Sequence, residues 1–311
     1  MAGAQRVFKE KIRATSTLEK VFRAMELIAA SRISKARESA ESLDPYARVL
    51  TRSLAAVASH DLTANHPFLV ERTDTNRVGV LVVTSDRGMA GAYSASVLRE
   101  AEKFMQELRD EGKEPVLYVT GRRGESYCHF RGIPVEKSWM GDSDHPTDEA
   151  MDDIAQTLLS AYLAPADQGG LAEIHVVYTR FISMVRQVVQ KRHMLPMAIV
   201  DQDDDAPEDS LRDELGDYAP GTAPLYEFEP SAKEVFDALL PKYVSHRIKS
   251  VLLLAAASEL ASRQQAMHSA TENAQQLIQD YTRKANNARQ AEITTEITEI
   301  VSGADALKQE A

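Results

Sequence analysis

Apolar residues near the N-terminus recur at the spacing of an amphipathic helix. Residues 4–44 include neither glycine nor proline, and residues that favour helices dominate. The apolar positions advance in steps of three and four, which places on one side of a helix Leu18, Phe22, Met25, Ala29, Ile33, Ala36, Ala40 and Leu43. The pattern predicts a long N-terminal helix whose apolar stripe needs a partner. Asp44-Pro45 predicts a bend or a break before residues 46–59 resume helical composition.

A second long helix is predicted at the C-terminus. Ser231 and Glu234 have the spacing of a capping box, and residues 242–302 include neither glycine nor proline. Pro241 predicts a kink near the start of this helix, and Gly303 predicts a late break. The alternating steps of three and four that are typical of a coiled-coil seam occur at Met267, Ala270, Ala274, Leu277 and Tyr281.

Between the two helices, short apolar runs replace the helical period. Residues 77–85, 114–121 and 173–181 are rich in β-branched residues, and segments with helical composition lie between them at 93–110, 122–131 and 147–163. Strands that alternate with helices predict a mostly parallel sheet, with residues 183–192 as an edge or hairpin strand. The predicted fold is therefore α/β with long helices: an antiparallel coiled coil of the terminal helices flanks a Rossmann-like domain.

The predicted domains follow the chain in three segments. Residues 1–60 form the N-terminal helix of the coiled coil, residues 75–228 form the α/β domain, and residues 229–311 form the C-terminal helix. The α/β domain includes an acidic loop at 201–217, which holds nine acidic residues and one arginine. We interpret it as a solvated loop, because the spacing and the glycine of an EF-hand are absent and calcium binding is a remote alternative.

Composition narrows the classes of function. The chain has 43% hydrophobic and 27% charged residues, which is typical of a globular protein, and its longest apolar run is far below the roughly 20 residues that a membrane-spanning helix needs. The net charge is −11, yet residues 1–60 carry 11 Lys and Arg against 6 Asp and Glu. This basic segment is a solvated helix face or a contact for an acidic protein or phosphate surface. The acidic middle of the chain argues against nucleic acid as a partner.

Candidate chemistry is sparse. Residues 85–91 and 121–124 place glycines where a strand leads into a helix, but neither segment has the spacing of a dinucleotide or P-loop fingerprint, so we interpret both as tight turns. The eight histidines lack the spacing of a metal-binding helix, and we predict no cofactor and no metal. Asp142, Asp144 and His145 share a loop in which solvated side chains are a better interpretation than a cation site. Cys128 is the single cysteine and shows no sign of being a nucleophile.

Several segments together resemble one known family, the gamma subunit of F-type ATP synthases. They are residues 20–37, 84–88, 225–230, 263–274 and 288–307, in the order in which that family has them. The resemblance covers essentially the whole chain and is most specific in the C-terminal segments. Residues 89–93 depart from the usual family pattern, and the regulatory cysteine pair of chloroplast members is missing.

This resemblance implies a central rotor shaft without an active site of its own. Such a shaft couples rotation of the membrane c-ring, driven by protons, to conformational changes at the catalytic sites of the beta subunits. The implied partners are the alpha and beta subunits, the epsilon subunit and the ring of c subunits, with membrane contact only through that ring. The implied location is peripheral, at the cytoplasmic face of the bacterial plasma membrane.

The resemblance also implies residue roles. Positions that match the family's contacts with the alpha and beta subunits are Arg23, Met25, Arg263, Gln290, Thr294 and Glu299. The expected coiled-coil seam comprises Phe22, Met25, Ala29, Met267, Ala270, Ala274 and Leu277. Two other classes stay open on the residues alone: a nucleotide-dependent oxidoreductase, which needs a complete glycine loop, and a coiled-coil adaptor, which leaves the α/β segment unexplained.

Overall fold

Two long helices begin and end the chain. The computed structural model describes residues 2–58, 67–197, 229 and 231–309. Helix α1 spans Ala2–Ala58, and helix α5 spans Ala232–Gln309. Of the predicted bend or break at Pro45, the break is wrong, because that residue lies inside α1. The late break predicted at Gly303 is also wrong, because α5 continues past it. Core packing on both sides of Pro45 holds the helix: Leu43 before it and Leu50 after it belong to the same hydrophobic cluster.

The predicted cap of α5 is present. The backbone N–H of Glu234 donates to Ser231 Oγ at 3.2 Å, and the N–H of Val235 donates to the Ser231 carbonyl at 3.1 Å. A serine side chain at this position satisfies a backbone donor that the first helical turn leaves without an intrahelical partner. Pro241 lies inside the helix, where Leu240 and Tyr243 are buried in the core beside it.

Among the described residues, a five-stranded sheet forms the middle of the chain. Its strands are β1 (Arg77–Val83), β2 (Glu114–Thr120), β3 (Lys137–Trp139), β4 (Glu173–Phe181) and β5 (Gln187–Leu195). The strand order is β3-β2-β1-β4-β5; only β5 is antiparallel to its neighbour. The mostly parallel sheet and its hairpin strand are therefore confirmed. The sequence pattern missed β3, whose three half-buried residues are too few to form a recognisable apolar run.

Helices cover both faces of the sheet. They are α2 (Tyr93–Asp110), α3 (Arg122–Arg131) and α4 (Asp148–Leu163), and a short 3₁₀ turn follows at Ala166–Gln168. One hydrophobic cluster joins one face to α2 and α3. The other joins the opposite face to α4 and to residues 50–57 and 236–255 of the terminal helices. Helices on both faces explain why the central strands β1, β2 and β4 are apolar runs rather than alternating patterns.

The chain divides into two compact units. One comprises residues 1–30 and 263–311, and the other comprises residues 31–262. These units group residues from both ends of the chain, whereas the three predicted segments follow it in order. The predicted acidic loop at 201–217 lies outside the described residues.

Candidate functional site

The first unit is a pair of helices that run in opposite directions. Glu26 Oε1 lies 2.9 Å from His268 Nδ1, and Gln275 Nε2 donates to Glu19 Oε1 at 2.9 Å. Nearer the N-terminus, the ring of Phe8 lies 6.4 Å from that of Tyr281. Partners advance along α1 as they recede along α5, so the pairing is antiparallel, as the two apolar stripes predicted.

The seam on α5 differs from the predicted one at two positions. Met267 and Ala274 are buried as expected, but Leu277 is 45% exposed and Ala270 is only partly buried. The buried or partly buried residues that follow this side of α5 are Met267, Thr271, Ala274, Ile278, Tyr281 and Ala285. Thr271 tolerates burial because its hydroxyl donates to the Met267 carbonyl at 2.9 Å. A sequence pattern based on apolar residues cannot assign a threonine to a seam, and the pattern selected Ala270 and Leu277 where Thr271 and Ile278 are the more buried residues.

The seam on α1 also includes polar residues. Ala29 is buried, and Phe22 and Met25 are partly buried. Leu18, which the apolar stripe included, is 51% exposed, and Glu19 lies on the inner side instead. Hydrogen bonds to α5 satisfy the carboxylates of Glu19 and Glu26, which lets charged residues occupy positions that an apolar pattern would not select.

The positions that match the family's alpha and beta contacts differ in accessibility. Arg23, Gln290, Thr294 and Glu299 are exposed, and Met25 is partly buried. Thr294 Oγ1 donates to the Gln290 carbonyl at 2.9 Å, so these two residues lie on one turn of α5. Arg263 is only 5% exposed and offers little surface to another protein, unlike the others in this set.

Large apolar side chains are exposed on both helices of the first unit. They are Val7, Leu18, Val21, Leu27 and Ile28 on α1, and Leu277, Ile293, Ile297, Ile300 and Val301 on α5. Leu27 is 64% exposed and Ile300 is 71% exposed. Ile293, Ile297 and Ile300 are three or four residues apart, which places them, with the adjacent Val301, on one face of α5. A contiguous exposed apolar face of this kind has the character of a protein interface.

The predicted tight turns lie at the carboxyl ends of β1 and β2, where an internal carboxylate organises them. Asp86 Oδ1 accepts the N–H of Arg122, the first residue of α3, at 3.0 Å. Its Oδ2 accepts the N–H groups of Gly141 and Ser143 at 3.0 and 2.9 Å. Burial acts to raise the pKa of Asp86, but the N–H donors outweigh it and hold the pKa below the usual 3.8. The chain therefore uses its own carboxylate at the helix N-terminus, where a phosphate binds in nucleotide-binding proteins.

Replacing Asp86 with asparagine is expected to reduce the free energy of unfolding by about 1–2 kcal/mol near neutral pH, since an amide cannot accept all three hydrogen bonds. The folded pKa of Asp86 is lowered, so its stabilisation is present above the unfolded pKa and is lost as pH falls through the lower folded value. The difference between Asp86→Asn and the original chain should therefore shrink in acid. Urea unfolding at a series of pH values measures this difference. The control is Asp142→Asn, between Gly141 and Ser143, where the side chain is exposed. A difference independent of pH would contradict the assignment.

The remaining candidate residues, in the loop at 142–145 and at Cys128, lack the arrangement of a binding or catalytic site. Arg32 Nη1 lies 2.8 Å from Asp144 Oδ2, while Asp142 and His145 are exposed. Because Asp144 already forms an ion pair with Arg32, this loop is poorly suited to binding a cation. Cys128 is buried, and burial raises the pKa of its thiol, which disfavours the reactive thiolate.

A group of three side chains that the sequence pattern did not indicate lies on β4 and β5. Glu173, His175 and His193 place one ligand atom each within 4.8 Å of one another; we call them the Glu-His-His cluster. Glu173 Oε2 lies 2.8 Å from His175 Nε2, and Lys113 Nζ lies 2.8 Å from Glu173 Oε1. The hydrogen bond with His175, and then the ammonium of Lys113, lower the pKa of Glu173 to about 2 against the effect of burial. The only sequence signal is the Glu-x-His spacing within a strand, because His193 is distant along the chain.

Comparison with known proteins identifies the family. A family model described as ATP synthase matches residues 4–307. The ATP synthase gamma chain of Beutenbergia cavernae is 57% identical over 307 residues, which is 99% of each chain. That of Acidothermus cellulolyticus is 50% identical over 306 residues, or 98% of each chain. A chain with two paired helices and this α/β domain is thus a subunit of an ATP synthase. It belongs to the family of ATP synthase gamma chains.

Solved structures share the fold at much lower identity. A chain of the Euglena gracilis mitochondrial ATP synthase, from a structure described as the rotor in rotational state 1, is 16% identical with a TM-score of 0.62, over 94% of this chain and 100% of that one. A chain from the central stalk and c-ring structure of the Tetrahymena thermophila enzyme is 20% identical with a TM-score of 0.55, over 80% of this chain and 99% of that one. In the described part of the present chain, no helix is long and apolar enough to span a membrane.

Proposed function

We propose that the chain is the central rotor shaft of a proton-driven F-type ATP synthase. Rotation of the membrane c-ring turns the shaft, and the shaft's changing face drives conformational changes at the catalytic sites of the beta subunits. A rotating shaft can shift these sites only through contacts that differ between their states. The observation that carries the proposal is an antiparallel helix pair, in a chain of the gamma family, with an apolar outer surface.

The outer surface of the paired helices supports insertion into a ring of alpha and beta subunits. Apolar side chains such as Leu27 and Ile28 on α1 and Ile297 on α5 are more than half exposed. Apolar contacts are not directional, so a surrounding ring can cover them in several orientations of the shaft. A set of fixed ion pairs would favour one orientation over the others. We also assign Arg23, Met25, Gln290, Thr294 and Glu299 to the contacts with that ring, because they match the family's contact positions and are exposed or partly buried. Arg263 is the weakest member of the predicted set, since it is 5% exposed.

The chain itself holds no catalytic site in this proposal. At the N-terminus of α3, where a nucleotide phosphate would be expected, the backbone N–H of Arg122 already donates to the Asp86 carboxylate. Gly121 and Gly124 pack against Thr84 instead of opening a phosphate-binding loop. This packing also disfavours the oxidoreductase alternative. Catalysis would belong to the beta subunits, and the gamma chain would act on their affinity for nucleotide.

The α/β domain and the adjoining parts of the terminal helices form the foot of the shaft in this proposal. The foot would rest on the epsilon subunit and the c-ring at the cytoplasmic face of the bacterial plasma membrane, as a peripheral protein. The bacterial gamma chains that match this chain over nearly their whole length support its assignment to an ATP synthase, and the position of the foot is part of the proposal.

Subunit stoichiometry in the native complex tests the proposal. The complex is purified through a tag on a c subunit and its subunits are counted by native mass spectrometry. We expect one copy of this chain for every three beta subunits, because a central shaft has room for a single copy. Several copies per complex, or recovery of an intact complex without this chain, would contradict it.

A further inference from the structure

The Glu-His-His cluster has the donor set of a transition-metal site. Glu173, His175 and His193 offer one carboxylate oxygen and two imidazole nitrogens, all within 4.8 Å of one another. Imidazole and carboxylate together suit zinc, which binds three protein ligands and a water in open tetrahedral sites. We propose that this cluster binds a Zn²⁺ ion that ties β4 to β5.

The backbone places the three side chains on one face of the sheet. Glu173 and His175 are two residues apart in β4, so both point to the same side. His193 lies directly opposite His175 in the antiparallel ladder. A cross-strand pair and a same-strand neighbour thus converge from two rigid strands, which hold ligands more firmly than loops do.

An irregularity in the ladder is what brings His193 to this position. Ile174 pairs with Leu195, but His175 pairs with His193, so Met194 has no partner across the ladder. An unbroken register would set Met194 opposite His175. Met194 and Leu195 both belong to the cluster on the other face, and the extra residue returns His193 to the face of His175. Bulges re-aim side chains in this way, frequently at functional sites.

The surroundings of the cluster also fit an ion. Lys113 binds Oε1 of Glu173, and Oε2 faces the imidazoles, as outer partners orient metal-binding carboxylates. The ring of Phe104 packs edge-on against His175 at 4.9 Å and shields that side from water. The side chain of His175 is 14% exposed and that of Glu173 is 22% exposed, whereas His193 is exposed and leaves an entry path.

The rearrangement that binding requires is small. A tetrahedral zinc ion with bonds near 2.0–2.1 Å separates its ligand atoms by roughly 3.3 Å. The 2.8 Å contact between Glu173 Oε2 and His175 Nε2 must open slightly, and the wider pairs, up to 4.8 Å apart, must close by roughly 1.5 Å at most. Side-chain rotation of the exposed His193 can supply most of that movement.

Zinc titration of the purified full chain tests the site. We expect one Zn²⁺ per chain by calorimetry, a rise in melting temperature on saturation, and visible absorption bands of tetrahedral cobalt when Co²⁺ is used instead. His193→Gln should weaken zinc binding at least about tenfold and abolish the cobalt bands. Because His193 is exposed, this variant should keep its circular dichroism spectrum. His129→Gln, which removes an exposed histidine on α3, should change none of these results.

Two results would overturn the proposal. One is the absence of stoichiometric zinc binding to the original chain at micromolar concentrations of both. The other is zinc binding that His193→Gln and Glu173→Gln both leave unchanged. The test uses only this chain, so its outcome is independent of the stoichiometry that tests the shaft.

Discussion

Replacing Gly121 with alanine is expected to reduce the free energy of unfolding by about 3–5 kcal/mol. Gly121 lies between β2 and α3 with φ of +92° and ψ of 135°, a conformation that residues with a side chain rarely adopt. A Cβ at this position would overlap the backbone carbonyl of Thr84, which cannot move without disturbing the end of β1. Strain and overlap therefore add. Urea unfolding of the purified chain measures the loss.

The matched control is Gly132→Ala, at the other end of α3. Gly132 also has positive φ, at +66°, but a Cβ there meets nothing within 4 Å. Its substitution should cost about 1 kcal/mol, which is the backbone preference alone. Equal losses for the two variants would show that the approach of Thr84 contributes nothing.

Replacing Met25 with lysine is expected to slow the turnover of the assembled complex by about 5- to 30-fold. Met25 is partly buried beside the seam, and its unbranched side chain can contact a succession of neighbours. We expect the charge of a lysine to pair with acidic side chains of a beta subunit in one orientation of the shaft only. If such an ion pair stabilises that orientation alone by about 1–2 kcal/mol, the barrier to the next rotational step rises by the same amount, and turnover slows by the corresponding factor.

Two measurements separate this effect from loss of packing. In the variant Met25→Gln, the glutamine side chain is polar and nearly as long as that of lysine but carries no charge. This variant should therefore slow turnover much less than Met25→Lys does. The melting temperature of the complex should stay the same for both variants. If both variants lower turnover and melting temperature in proportion, Met25 contributes packing and the bearing role is wrong.

The sequence predicted most of the fold because apolar spacing follows directly from burial. Strands β1, β2 and β4 are buried on both faces, so each gave a continuous apolar run. The antiparallel helix pair followed from two stripes that each needed a partner. The helix does not break at Pro45, because a proline interrupts one backbone hydrogen bond but does not remove the core contacts that flank it.

Sites that depend on residues far apart in the sequence could not be predicted. Asp86 binds N–H groups at positions 122, 141 and 143, and nothing in the local sequence near Asp86 indicates them. His193 faces His175 only because of the ladder irregularity at Met194, which leaves no mark in the sequence. Thr271 occupies the seam through a hydrogen bond that an apolar pattern does not register.

Observation of rotation in single assembled complexes tests the central claim most directly. Cys128 is replaced by alanine and Phe130, which is 87% exposed on α3, by cysteine, so that one accessible thiol carries the probe. The alpha and beta subunits are fixed to a surface and ATP is added. The shaft role predicts that the probe turns in one direction with three stops per revolution, one for each beta subunit. A probe that stays at one angle while the same complexes hydrolyse ATP would contradict it.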